Sequence, residues 1–200
     1  MHTNGEYSVC MLGQTSKLEE SQPAETHVRA PPKMSLLRMM DLSLWRRTLV
    51  SLNKAFQLNT LALEADGNFL FEVIYANTFC PKVGKAYGRG SSSACTMNHS
   101  DAVEIARRTR AVVIKPCDSG LCRILVPVYF RGLFLGCVGG CGAIVGTGDI
   151  PVAEITKLAT RGNLSVEELL KEARESVVRL TQATTDTYIG LLEHRLKSRM

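Results

Sequence analysis

The sequence predicts an α+β fold: a central antiparallel sheet flanked by helices and closed by a long C-terminal helix. Three observations carry this. Two apolar runs, Leu61-Ala62-Leu63 and Phe69-Leu70-Phe71, bracket Ala65-Asp66-Gly67-Asn68 in the manner of a β-hairpin. Three further apolar runs, short and separated by turn residues, fall between residues 111 and 138. Helical periodicity sits at the two ends of the chain and once between the strand groups. The order helix, hairpin, loop, helix, three strands, helices suits one antiparallel sheet with helices on one face and at its ends.

The elements follow in order. Residues 1–34 are polar and interrupted by Pro23 and Pro31-Pro32, and they read as a disordered tail that carries Cys10. A translation start at Met34 suits this reading as well as one at Met1. Residues 35–200 form the folded domain. Ser35 to about Gln57 is helical, with Leu37, Met40, Leu44 and Leu52 near one face, and Asp41 is placed to restart it as an N-cap. The hairpin comes next. Residues 75–95 are irregular and glycine-rich, a loop long enough to be functional. Asn98 or Ser100 caps a helix that runs to about Arg110.

Ala111-Val112-Val113-Ile114 is a short strand, and Arg123–Phe130 pairs with Leu133–Val138 across Arg131-Gly132. The glycines at 136, 139, 140 and 142 weaken that last strand and let a backbone or ligand approach closely. Gly146 to Pro151 turns into a helix ended by Gly162, and Ser165 caps the next. A final helix over 175–200 carries the stripe Val177, Leu180, Thr184, Tyr188, Leu191, Leu192 and Leu196. That stripe suits packing on the sheet and pairing with a twin helix in a homodimer equally well.

Hydrophobic content of 45% supports a real core, and a net charge of +5 is mild. The basic residues are scattered, with no run interleaved with aromatics, so no direct nucleic-acid binding is expected. No segment approaches the roughly 20 consecutive apolar residues of a membrane span. The N-terminus lacks a secretory pattern. A cytoplasmic protein is expected, with its thiols reduced.

The cysteines are the chemical signal. Five of the seven fall between Cys95 and Cys141, and Cys80 lies just upstream. Cys80, Cys95 and Cys117 sit on three separate segments, and thiolates converging from separate loops favour zinc, copper(I) or an iron–sulfur cluster. Cys122 or Cys141 would complete a four-thiolate set. No Cys-x-x-Cys pair occurs, so a zinc ribbon is not indicated. Free cysteine also packs as a small hydrophobe, the reading that suits Cys122, Cys137 and Cys141 taken singly. Asp118 is placed either to orient a ligand hydroxyl or to form a turn. Phe79, Tyr75 and Tyr87 are candidates to wall a pocket. His99, four residues after Cys95, suits a surface position better than a ligand role. A catalytic cysteine needs a base beside it, and only His99 lies inside the domain core, so no enzyme is expected.

From about Leu49 to Lys197 the chain resembles the PocR-type sensory domain. The matching pieces are the Asp66-Gly67 hairpin, Phe79-Cys80, Ala94-Cys95, Pro116-Cys117-Asp118-Ser119-Gly120-Leu121 and Val126-Pro127-Val128. The pair of strands around Arg131-Gly132 then leads to Gly136 and Gly139-Gly140, followed by Gly148-Asp149-Ile150 and Ser165-Val166-Glu167-Glu168-Leu169. The resemblance implies a PAS/GAF-like sensor that binds simple hydrocarbon derivatives such as small diols. It also implies that Cys80, Cys95 and Cys117 belong to the family's pattern.

The chain departs from that pattern at Cys122 and at Cys141, which stands where a polar residue is expected after the paired glycines. The expected function is therefore small-molecule sensing in a pocket lined by Cys80, Cys95, Cys117, Asp118 and Phe79, with signal passed through the C-terminal helix to a partner protein. The alternative is a metal or iron–sulfur redox sensor built from Cys80, Cys95, Cys117, Cys122 and Cys141.

Overall fold

The computed structural model describes residues 35–36, 41–87 and 94–198, and the side chains of these apart from 94–98. The expected tail, with Cys10, lies outside them. Among these residues, six helices and five strands follow one another as α1 (Leu42–Phe56), β1 (Asn59–Glu64), α2 (Phe79–Ala86), α3 (Ala94–Thr109), β2 (Val113–Pro116), β3 (Cys122–Phe130), β4 (Leu133–Val145), α4 (Val152–Arg161), α5 (Val166–Ser176), β5 (Val178–Leu180) and α6 (Gln182–Lys197). The sheet order is β1-β4-β3-β2, with antiparallel neighbours, and β5 joins β4 in parallel. The predicted α+β class is the observed one.

Local chemistry sets the helix ends. Asp41 caps α1, its carboxylate accepting from Leu44 N at 3.1 Å and from the Ser43 hydroxyl at 2.8 Å. Those bonds hold its carboxyl below the usual range. Ser165 caps α5 by accepting from Glu168 N, as its sequence predicts.

Five expectations are corrected. First, residues 69–74 do not form the hairpin's second strand. They touch β1 in two isolated bridges, Leu63 with Phe69 and Thr60 with Ile74. Leu70 and Phe71 both pack on one face of the sheet while Phe69 and Val73 pack on the other, which breaks the alternation a strand requires. Second, the supposed loop of 75–95 contains α2. Third, α3 begins at Ala94, so Asn98 and Ser100 lie inside it rather than capping it.

Fourth, β4 runs on through its glycines to Val145. A side chain at Gly139 would collide with the Ile124 carbonyl, and one at Gly140 with Leu58, so neighbouring chain and not a ligand occupies that space. Fifth, the long C-terminal helix is two helices. Val177 is extended, β5 pairs with Ala143–Val145, and Thr181 caps α6 by accepting from Thr184 N at 3.1 Å. The β-branched pair Val177-Val178 favours that extended link.

Helices cover both faces of the sheet. One face packs against α1 and α6 through Leu49, Leu52, Ile124, Val126, Val138, Tyr188 and Leu192. Of the expected stripe, Leu180, Tyr188, Leu192 and Leu196 are buried in this face, whereas Leu191 is exposed. The other face packs against α3 through Leu61, Leu63, Val103, Ala106, Val113, Leu125 and Cys137. A third apolar cluster joins α2, α4 and α5 to the β2–β3 turn, with Phe79, Leu121, Ile155, Leu158 and Leu169 at its centre. Burying each of these aliphatic side chains stabilises the fold by about 1.5–3 kcal/mol before conformational entropy is counted.

Candidate functional site

Strand register puts four polar or thiol residues in one row on the α3 face. Asn59 on β1 stands opposite Cys141 on β4, Cys141 opposite Arg123 on β3, and Arg123 opposite Lys115 on β2. Alternation along each strand gives them the same face as Leu61, Leu125 and Cys137. Asn59 and Arg123 are fully buried. Cys141 is only half-buried although its strand lies between two others, so the sheet face opens at this row.

Asn59 turns its acceptor away from the row. Its Oδ1 accepts from Ala76 N at 2.8 Å and Asn77 N at 3.3 Å. Asn77 is likewise committed: its Nδ2 donates to Gly142 O at 3.1 Å, and its Oδ1 accepts from Cys80 N at 2.9 Å. The last bond caps α2, where the Thr78 side chain makes none. Gly142, with φ of 77°, is the keystone. A Cβ there would run into Asn59 Nδ2, Asn77 Nδ2 and Cys80 Sγ, so only glycine lets these three polar groups gather.

Arg123 donates from Nη2 to Pro116 O at 2.9 Å. His99 on α3, 2% exposed, stacks edge-on against Phe69 with ring centroids 5.2 Å apart. Burial, and then the charge of Arg123, lower its pKa to about 3, so it is a neutral imidazole at physiological pH. The expected surface position for His99 is thus corrected: it is a buried member of this end of the sheet.

The predicted site residues divide. Cys80 borders Gly142 and is half-buried, and Cys117 is half-buried in the β2–β3 turn, its Sγ 3.0 Å from Ser119 Oγ. Both pack against the cluster under α2 and α4. Phe79 is part of the centre of that cluster and is 1% exposed. Asp118 is exposed at the turn, whose shape comes from Cys117 N donating to Leu121 O and Gly120 N to Cys117 O. Cys95 falls in α3 by its backbone, and its side chain lies outside the described residues. Cys122 is buried at the start of β3. Cys137 is buried on the α3 face, where desolvation pushes its thiol up to about 12 and keeps it protonated and unreactive.

Among the described residues, no group of three or more His, Cys, Asp or Glu is placed to hold a metal ion. The four-thiolate set expected from Cys80, Cys95 and Cys117 with Cys122 or Cys141 includes Cys95, whose side chain lies outside the described residues. Asn59, Asn77 and Arg123 escaped the sequence reading. Asn59 is next to an ordinary strand start, and Arg123 reads as a surface charge until its strand is known to be third in a sheet covered on both faces.

No helix among the described residues is long and apolar enough to cross a membrane. No curated protein and no solved structure matches the chain significantly. A family model, described as the sensory domain found in PocR, matches residues 38–197. That span takes in the five strands, the polar row and the six helices of the described residues, and the chain belongs to this family of sensory domains.

Proposed function

We propose that the domain senses a small organic molecule, a simple hydrocarbon derivative, bound over the Asn59–Cys141–Arg123 row with Cys80 and Cys117 close by. The observation that carries this is the opening at Cys141. A central strand of a sheet covered on both faces is expected to be closed, and here it is half-open beside two fully buried polar side chains. Small-molecule sites combine a largely apolar wall with a few convergent polar groups, and the α3 face supplies both.

The same geometry supports an output route. Asn77 and Cys80 lie at the start of α2, and α2 is tied to α5 by Lys82 with Glu168 (3.6 Å) and Glu172 (3.9 Å) and by Thr78 with Glu172. Helix α5 leads directly into β5 and α6. A ligand that binds one arrangement of α2 better than another would shift α5 and α6 with it, and a partner protein would read that change.

Thermal denaturation against ethane-1,2-diol, propane-1,2-diol, propanal, propionate and lactate tests the pocket. A ligand at a hundred times its Kd stabilises by about 2.7 kcal/mol, which moves Tm by roughly 5–10 °C in a domain of this size. Cys141→Leu fills the opening and is expected to abolish the shift while costing about 1–3 kcal/mol of stability from overpacking. A Cys141→Leu variant that binds as tightly as the unaltered chain would place the ligand elsewhere.

A further inference from the structure

The opposite end of the sheet from the polar row gathers a second set of charged groups, independent of the pocket. Strands β3 and β4 meet there in the two-residue turn Arg131-Gly132, between the paired residues Phe130 and Leu133. Both turn residues have positive φ, 48° and 82°. Such a turn favours Asn, Asp or Gly at its first position, and this chain places an arginine. Arg110, with φ of 57°, follows the last residue of α3, where glycine is usual. Each guanidinium lies over an aromatic ring of β3. Arg110 Cζ is 4.7 Å from the Tyr129 ring centroid, and Arg131 Cζ is 5.3 Å from that of Phe130. An exposed contact of this kind returns less than a left-handed backbone costs an L residue. Stacking alone therefore does not account for arginine at these two positions.

The charges are also brought together. Arg110 Nη2 donates to Gly132 O at 3.3 Å, beside Arg131, and Arg108 is exposed two residues before Arg110. Arg107 is satisfied by Glu104, with bonds of 2.8 and 2.9 Å, and Glu104 reaches Arg108 only as a more distant charge. Among the described residues, Arg108, Arg110 and Arg131 make no salt bridge. The hairpin tip between them presents Leu133, 49% exposed, with open space around Gly132. Tyr129 meets Phe134, which packs on the α3 face, while Phe130 packs on the α1–α6 face. An arginine thus flanks the tip on each side of the sheet.

A single exposed leucine is ordinary, but a convex apolar tip ringed by unpaired arginines matches one surface best. A nucleic acid would reward the charges and not Leu133, and guanidinium groups already cover the aromatic faces on which bases would stack. An anionic bilayer rewards both. Its phosphates attract the arginines, and its headgroup–acyl boundary accepts leucine and aromatic rings. We propose that the β3–β4 hairpin tip docks the domain on an anionic lipid surface, with Leu133 entering the headgroup boundary and Arg108, Arg110 and Arg131 meeting lipid phosphates.

Sedimentation of the full chain with vesicles of phosphatidylcholine, with and without phosphatidylglycerol, tests this. The chain is expected to sediment with the anionic vesicles and to stay in solution with the neutral ones. Arg110→Gly combined with Arg131→Asn suits both backbone conformations and removes both charges. Vesicle affinity is expected to fall roughly tenfold or more while Tm holds or rises. Leu133→Ser, at unchanged charge, is expected to weaken binding by about threefold or more. In Leu133→Trp, the added tryptophan's emission is expected to shift to the blue as anionic vesicles are added, over the background of buried Trp45; this readout does not depend on the double variant folding. No binding to anionic vesicles, or binding untouched in both the double variant and Leu133→Ser, overturns the proposal. So does a chain that ignores the vesicles but retains single-stranded RNA or polyglutamate and loses it in the double variant, since the arginines would then serve a nucleic acid or an acidic polypeptide.

Discussion

The two faces of the sheet are built from the same strands and do different things. Toward α1 and α6, β3 and β4 present Ile124, Val126, Val128, Leu135 and Val138, and the helices answer with Leu49, Leu52, Ile189 and Leu192. Toward α3 the same strands present Leu125 and Cys137, but at one end the row changes to Asn59, Cys141 and Arg123. One residue's step along a strand moves a side chain from the first environment to the second. The first face supplies stability and the second supplies a site, and mutations on the two faces separate these roles.

The largest effect is expected on the apolar face. Leu192 is fully buried there, and Leu192→Ala removes its contacts and leaves a cavity. The expected cost is about 3 kcal/mol, read as a Tm lowered by roughly 6–12 °C, with the ligand's Kd unchanged when measured below the transition. A Leu192→Ala protein that folds normally but binds tenfold more weakly would break the division between the faces.

The second effect belongs to the polar end and depends on pH. His99 has a folded pKa of about 3 against an ordinary 6.5. Between those values the unfolded chain takes up a proton that the folded chain refuses, so stability rises with pH through this window and falls as pH drops from about 6.5 toward 3. The slope is up to about 1.4 kcal/mol per pH unit, so the loss at pH 5 is roughly 2 kcal/mol. Denaturant titrations at pH 7 and pH 5 measure it. In His99→Leu, which keeps an apolar contact for Phe69, this part of the slope is expected to vanish. An unchanged slope in that variant would assign the acid sensitivity to other groups.

These contrasts also show what the sequence could carry. The strand pair around Arg131-Gly132 and the caps at Asp41 and Ser165 were legible because each depends on residues within four positions. The end of the final helix at Val177 was not. Its apolar stripe continues in helical phase, and the extended link exists because β4 outlasts its predicted end and offers Ala143–Val145 as a partner. Cys80 and Cys117 stand out in the sequence by their clustering, and both pack against the apolar cluster under α2 and α4. The amides were not, since Asn59 and Asn77 acquire meaning only when β4 brings Gly142 between them, 65 residues from Asn77. Arg123 looks like any charged residue beside a turn until two neighbouring strands and α3 enclose it.

The smallest effect compares two buried groups of the same kind. Tyr188 on α6 is fully buried on the apolar face, edge-on to Phe56 with centroids 5.2 Å apart, and its hydroxyl has no hydrogen-bond partner among the described residues. Desolvation drives its pKa upward, so it stays a neutral phenol. Asn59 Nδ2 shares that lack of a partner but lies beside the opening at Cys141. If the faces differ as argued, the first group has no ligand to wait for. Tyr188→Phe then removes a desolvated hydroxyl without removing a bond, and is expected to be neutral or to stabilise by up to about 1 kcal/mol. Urea titration at pH 7 resolves that difference. A loss above about 1 kcal/mol would mean that the hydroxyl is solvated in the folded protein, and the α1–α6 face would then be wetter than its apolar lining implies.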